Sequence, residues 1–116
     1  AIVTFGNGVY LSRQAQADLA AEGVAARVID LRWLTPLPEA AVLEAVKACA
    51  RVLVVDECRR TGGGPSEAVV SALTLAGVTG ISRLAAEDSF IATGPAYAAT
   101  MPSRAQIVAA AKAALA

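Results

Sequence analysis

The chain has 116 residues, enough for one domain with one hydrophobic core, and 56% of them are hydrophobic although only 4% are aromatic. Ten basic and ten acidic residues cancel, so no net charge steers the chain toward nucleic acid or an anionic membrane. No histidine is present, which excludes Ser-His and Cys-His nucleophilic arrangements within the chain and argues against a metal site.

The first half of the chain predicts two strand–helix units. The apolar residues 2–5 form the first strand, and Gly6-Asn7-Gly8 ends it before a helix over residues 9–22. Residues 27–30 form the second strand. A loop with two prolines follows, and the second helix is expected over residues 39–50, because proline is tolerated at a helix start.

The second half repeats this alternation. Residues 52–56 are the most hydrophobic run of the chain and therefore predict a central strand. After a glycine-rich loop, a third helix is expected over residues 65–76 and a fourth strand over residues 81–85. An irregular segment leads to the last helix, which begins after Ser103, where Gln106 completes the spacing of a capping box.

This alternation predicts one α/β domain over residues 1–116. A mainly parallel sheet of four strands is expected between two helix layers, because right-handed crossovers place helices on both faces of a parallel sheet. The third strand is too apolar for an edge position, so we predict the order 2-1-3-4. The switch point then lies between strands 1 and 3, where open α/β sheets usually bind their ligands.

Two glycine clusters follow strands and are candidate anion sites. Gly6-Asn7-Gly8 lacks the third glycine of a dinucleotide fingerprint, where Leu11 stands instead, which favours a tight strand-to-helix turn. In Thr61-Gly62-Gly63-Gly64, backbone amides near a helix amino terminus favour anions, and Arg59 and Arg60 add positive charge. A Walker loop would need a lysine before the hydroxyl residue. A structural turn, a docking surface and an anion site therefore remain open here.

Two further features have less specific interpretations. Asp56 and Glu57 are adjacent on a strand and point to opposite faces, so they are a poor acid–base pair, and we expect Glu57 to pair with Arg59 or Arg60. Trp33 is either a core anchor or an interface hot spot.

The remaining signals concern the location of the protein. No apolar run approaches the roughly 20 residues of a membrane span. Residues 1–5 read as a strand rather than a basic leader, and no initiator Met precedes them. Cys49 and Cys58 lack metal spacing and are expected to be core or near-surface thiols in a reducing compartment. We therefore expect a cytoplasmic fragment of a longer chain, without nucleic acid or membrane as partner.

Three segments together resemble one known family. They are VIDLRWLTPLPEAAVLEAV (28–46), VLVVDECRRTGGGPSEAVVSAL (52–73) and AEDSFIATGPAYAATMPSRAQIVAAA (86–111). With AIVTFGNGVY (1–10), they resemble the transketolase carboxy-terminal domain family, most closely the beta or fused beta part of 2-oxo acid dehydrogenase E1. Transketolase and deoxyxylulose-phosphate synthase share the domain but resemble this chain less. Pro38 stands where family members often have a capping Asp, worth on the order of 1 kcal/mol.

The resemblance implies a fold and a role. The fold is a three-layer α/β/α sandwich whose first, antiparallel strand would precede residue 1. Thiamine diphosphate and magnesium sit between other domains of the full enzyme, and their GDG motif is absent here. No catalytic, cofactor-binding or metal residue is therefore assigned, and the isolated domain is expected to be inactive.

The expected role is dimer assembly and docking of the E2 subunit-binding domain within a homo- or hetero-oligomer. The candidate interface residues are Trp33, Arg59, Arg60, Gly62 and Gly63. An anion- or nucleotide-binding regulatory module and the carboxy-terminal domain of a transketolase-like enzyme are the alternatives.

Overall fold

The computed structural model describes residues 1–116 and contains every predicted strand and helix. The strands are β1 (Ile2–Thr4), β2 (Val28–Asp30), β3 (Val52–Arg59) and β4 (Ile81–Ala86). The helices are α1 (Asn7–Ala21), α2 (Glu39–Val46), α3 (Pro65–Leu75) and α4 (Arg104–Leu115), and a 3₁₀ helix spans Gly94–Ala99. No helix is both long and apolar enough to cross a membrane.

The four strands form one parallel sheet. Their order is β2-β1-β3-β4, which confirms the predicted order and puts the most apolar strand inside the sheet. Val3 of β1 lies between Ile29 of β2 and Val54 of β3, which fixes the register at the centre. The loops that leave the carboxyl ends of these strands therefore meet at one edge of the sheet, which we call the carboxyl edge.

Two hydrophobic cores lie on opposite faces of the sheet. The core beneath α2 and α3 contains Val3, Leu31, Val42, Val46, Val52, Val54, Val69 and Leu73. The core beneath α1 and α4 contains Ile2, Ala15, Leu19, Leu53, Val55 and Ile107. Successive residues of β3 alternate between the two cores, as the period of a strand requires. This arrangement confirms the three-layer α/β/α sandwich.

Three element boundaries differ from the predicted ones by two residues or more. α1 begins two residues early because Gly6, with φ of 56°, turns the chain directly out of β1. α2 ends at Val46 instead of Ala50, since Lys47 and Cys49 donate to carbonyls three residues back and tighten the last turn. β3 continues to Arg59, across a bulge that the sequence pattern does not reveal.

The predicted capping box of α4 is confirmed. The Gln106 amide donates to Ser103 Oγ at 3.2 Å, and the Ser103 amide donates to Gln106 Oε1 at 2.9 Å. Arg104 then forms a bidentate ion pair with Asp18, which ties α4 to α1. The hydrogen bonds from Arg104 hold the pKa of the Asp18 carboxyl below its usual range.

Candidate functional site

The candidate interface and anion-site residues lie at the carboxyl edge. Gly6-Asn7-Gly8 follows β1, Trp33 lies three positions after β2, and Arg59 to Gly63 end or follow β3. The structure does not gather them into one site, because β1 separates β2 from β3 and puts these two strands about 10 Å apart. Trp33 therefore borders one part of the edge and the glycines another.

The glycine loop, residues 60–64, donates its amides to a carboxylate of the same chain. The Gly62 and Gly63 amides donate to the Glu67 carboxylate at 3.1 and 3.3 Å, and their positive φ angles of 75° and 116° allow this turn. Arg83 donates to Glu67 at 3.3 Å. Together these bonds lower the pKa of Glu67, with Arg83 as the largest cause. The position that an anion would take is therefore filled, which argues against the anion-site interpretation.

The amino terminus of α3 is capped by buried Asp56. One carboxylate oxygen accepts from the Ser66 amide at 2.9 Å, and the other accepts from the Cys58 amide at 2.7 Å. Gly64 is required beside it, because a Cβ there would collide with the Asp56 carboxylate. Burial, and then the charge of Asp56, raise the pKa of the Cys58 thiol, which disfavours the reactive thiolate.

The Glu57 side chain lies on the opposite face of the sheet, where it caps α1. Its Oε1 accepts from the Gly8 amide at 3.3 Å, at the start of α1. The predicted pairing of Glu57 with Arg59 or Arg60 is wrong, because Arg60 pairs with Glu87 at 3.0 Å. The carboxylate of Glu57 also fills the anion position of the first glycine cluster, which favours the tight-turn interpretation.

The glycine loop is fastened to the segment after β4. Thr61 donates through its amide and its hydroxyl to Asp88, at 2.8 and 2.6 Å. These two bonds are the main reason why the pKa of Asp88 is lowered. The guanidinium of Arg83 adds a bond to the Arg60 carbonyl. The loop is therefore held from both sides by side chains of other elements.

Several large apolar side chains are exposed at this edge. Trp33 is 69% exposed, so the interpretation as a core anchor is wrong and the interface interpretation remains. Tyr10, in the first turn of α1, is 64% exposed, and Phe90 after β4 is 94% exposed. Exposed aromatic side chains concentrated at one end of a small domain are typical of an interaction surface. We call these three residues the apolar rim.

The sequence did not lead us to predict three further residues of the carboxyl edge, which are Glu67, Asp88 and Phe90. Glu67 was detectable, because it stands three residues after Gly64, at the spacing from which a Glu reaches back to amides before a helix. Asp88 and Phe90 belong to a segment without periodicity, and no local pattern indicated their contacts. Cys49 and Cys58 are unpaired and half-buried, in agreement with near-surface thiols.

Comparison with known proteins identifies the family. Residues 1–107 match the family described as transketolase, C-terminal domain. The chain belongs to this family. A solved structure described as a split gene transketolase, inactive beta4 tetramer, has a TM-score of 0.85 and 26% identity, covering 98% of this chain and 37% of that chain. The predicted family and fold class are therefore confirmed.

Curated relatives of this transketolase C-terminal domain include beta subunits of oxidoreductases. Over 90 residues it is 37% identical to the 2-oxoisovalerate dehydrogenase subunit beta of Bacillus subtilis, covering 75% of this chain and 28% of that one. Over 56 residues it is 48% identical to the acetoin:2,6-dichlorophenolindophenol oxidoreductase subunit beta of Cupriavidus necator, covering 48% and 17%. The 1-deoxy-D-xylulose-5-phosphate synthase 1 of Geobacter metallireducens is 31% identical over 96 residues, covering 81% and 15%. The chain spans less than a third of the length of these relatives.

The residues of this transketolase C-terminal domain do not fit thiamine diphosphate and magnesium, which the resemblance implies for a full enzyme. No group of three or more His, Cys, Asp or Glu side chains is placed to hold a metal ion. The amides that would suit a diphosphate already donate to Glu67, and the Asp56 carboxylate accepts from backbone amides. We therefore assign no cofactor role and no reaction step to these residues.

Proposed function

We propose that this chain is the non-catalytic carboxy-terminal domain of a thiamine-diphosphate-dependent 2-oxo acid dehydrogenase E1 component. The full enzyme would oxidatively decarboxylate a 2-oxo acid in the cytoplasm, with thiamine diphosphate and magnesium held by other domains. The observation that carries the proposal is the apolar rim. It offers a surface to which other subunits could bind, in a domain whose residues form no catalytic site. The similarity to a 2-oxoisovalerate dehydrogenase beta subunit supports the choice of E1.

In this proposal, the domain acts through contacts. Trp33, Arg59, Arg60, Gly62 and Gly63 are the candidate interface residues for dimer assembly and for the E2 subunit-binding domain. Trp33 has the strongest support, because large exposed aromatic side chains dominate the energetics of many interfaces. Arg60 is bonded to Glu87, so its role would be to hold the glycine loop that presents Gly62 and Gly63.

A second candidate function is the carboxy-terminal domain of a transketolase-like enzyme. The observation that favours it is the match to 1-deoxy-D-xylulose-5-phosphate synthase 1, which covers more of this chain than the oxidoreductase matches do. A third candidate, an anion- or nucleotide-binding module, is opposed by Glu67, because its carboxylate occupies the glycine-loop amides.

The proposal is tested by Trp33→Ala and Arg60→Ala in the complete E1. Both variants should weaken dimer or E2 association, measured by sedimentation velocity and titration, more than they weaken thiamine diphosphate binding. Leu75→Ala is the matched control, because Leu75 is 86% exposed but ends α3, away from the carboxyl edge. Unchanged association in both the Trp33→Ala and the Arg60→Ala variants would contradict the proposed interface role.

A further inference from the structure

A groove runs along the carboxyl edge beside the glycine loop. It has a volume of about 600 Å³ and lies between that loop and the segment after β4. Its principal lining residues, which define the Phe90 groove, are Arg59, Gly62, Gly63, Phe90, Ile91 and Met101. Phe90 is 94% exposed and Ile91 is 47% exposed, so the apolar wall of the groove faces solvent.

The Phe90 groove carries one guanidinium that no residue of the chain compensates directly. The Arg59 guanidinium makes no hydrogen bond or ion pair, whereas that of its neighbour Arg60 pairs with Glu87. Asp88 interacts electrostatically with Arg59 without forming an ion pair, and both of its carboxylate oxygens accept hydrogen bonds from Thr61. The cation in the groove is therefore available to another molecule.

The one carboxylate that lines the groove is already engaged. Glu57 accepts from the Gly8 amide at the amino terminus of α1, where a helix favours negative charge. The amides of Gly62 and Gly63 are also unavailable, because they donate to Glu67. An incoming anion would thus find Arg59 as its donor and Phe90 as its apolar neighbour.

We propose that the Phe90 groove binds a segment of another subunit that carries an apolar side chain next to a carboxylate. This inference rests on the proposed function and names the chemistry of the partner segment. The apolar side chain would cover Phe90 and Ile91. The carboxylate would pair with Arg59, whose guanidinium matches a carboxylate through two parallel hydrogen bonds.

The test is a nuclear magnetic resonance titration of the ¹⁵N-labelled chain with two capped peptides. One is acetyl-Gly-Ser-Leu-Asp-Ser-Gly-amide, and the other has Asn in place of Asp. We expect the Asp peptide to shift the amide signals of Gly62, Gly63, Phe90 and Ile91 and to bind at least threefold more tightly than the Asn peptide. Arg59→Gln should abolish this preference, whereas Arg13→Gln, at an exposed arginine of α1 without a partner, should leave it unchanged.

Three results would overturn the inference: equal affinity for the two peptides, shifts confined to other surfaces, or no shift at 10 mM peptide. Phe90→Ala separates the apolar contribution, since so exposed a side chain contributes little to folding, and it should weaken both peptides equally. The outcome is distinct from the test of the proposed function. If the Trp33→Ala and Arg60→Ala variants weaken E1 assembly but the peptides do not bind, only the inference about the Phe90 groove is contradicted. If the peptides bind but the native chain has no E1 partner, only the E1 assignment is contradicted.

Discussion

Asp56 and Glu57 are consecutive residues of β3, yet their carboxylates cap helices on opposite faces of the sheet. Asp56 accepts from the Ser66 amide of α3, and Glu57 accepts from the Gly8 amide of α1. Alternation along a strand makes this division possible. One dipeptide at the switch point therefore supplies negative charge to two helix amino termini, where a ligand anion would otherwise be favoured.

The cap of α3 predicts a large stability loss on its removal. Asp56→Ala should lower the free energy of unfolding by about 2 kcal/mol, because it removes a cap and leaves the buried Ser66 amide without a partner. Asp56→Asn is the control, because it retains an acceptor oxygen and should lose less. Urea denaturation measures both variants, and equal losses would contradict the capping role.

The turn after β1 predicts a difference between two glycines. Gly6 and Gly23 have φ of 56° and 80°, so alanine at either position should cost about 1 kcal/mol. Only at Gly6 would the new Cβ lie 2.6 Å from Glu57 Oε1, whereas nothing lies within 4 Å at Gly23. Gly6→Ala should therefore destabilise more, by the lost contact of Glu57 with Gly8. Adding Glu57→Ala to both variants should remove the difference in denaturation experiments, and a persistent difference would exclude this cause.

Two buried hydroxyls without partners predict a neutral or stabilising substitution. Ser12 of α1 is fully buried, and its Oγ has no hydrogen-bond partner. The Oγ1 of buried Thr4 in β1 also has no partner. Ser12→Ala removes an unsatisfied polar group and improves helix propensity, so unfolding free energy should rise by roughly 0 to 1 kcal/mol. Thermal and urea unfolding test this expectation. A loss above about 1 kcal/mol would instead mean that the hydroxyl has a partner, such as a buried water.

The carboxylates around the glycine loop predict a dependence on acid. The pKa values of Glu67 and Asp88 lie below their ordinary values of 4.5 and 3.8, so the unfolded chain binds protons first as the pH falls. Their stabilising contribution is complete above these ordinary values and is lost as the pH falls through the lowered ones. Asp18 contributes with the same sign.

Glu67→Gln isolates one of these groups. The variant should lose stability at pH 6, and its stability should change less than that of the unmodified chain between pH 5 and pH 3. Urea denaturation across this range measures the difference. Parallel curves for the two proteins would contradict the assigned role of Glu67.

Strand order and layering were predictable because they follow from apolar patterning. Val52 to Val55 could be placed at the centre of the sheet from their sequence alone, and the structure buries all four. The bulge that extends β3 to Arg59 could not be predicted, because it depends on pairing with Ala86 of a different strand. Helix ends were predicted only to within a few residues, because capping contacts and the geometry of the last turn determine where a helix ends.

The candidate site was only partly predictable, for a related reason. Glycines and arginines near strand ends indicated which edge of the sheet carries the candidate site. The partners of these residues lie far along the chain, as Thr61 and Asp88 show, and no local pattern indicates them. The exposure of Trp33 could not be predicted either. Its sequence context suited both a core and a surface position, and the structure shows that the side chain is exposed.

The intact mass and peptide map of the native protein that carries this segment would show whether the domain is part of an E1 component. We predict a polypeptide much longer than these 116 residues, either containing a GDG-type thiamine diphosphate motif or co-purifying with a chain that contains one. A native chain of about this length without such a partner would exclude the E1 assignment and indicate a free-standing domain.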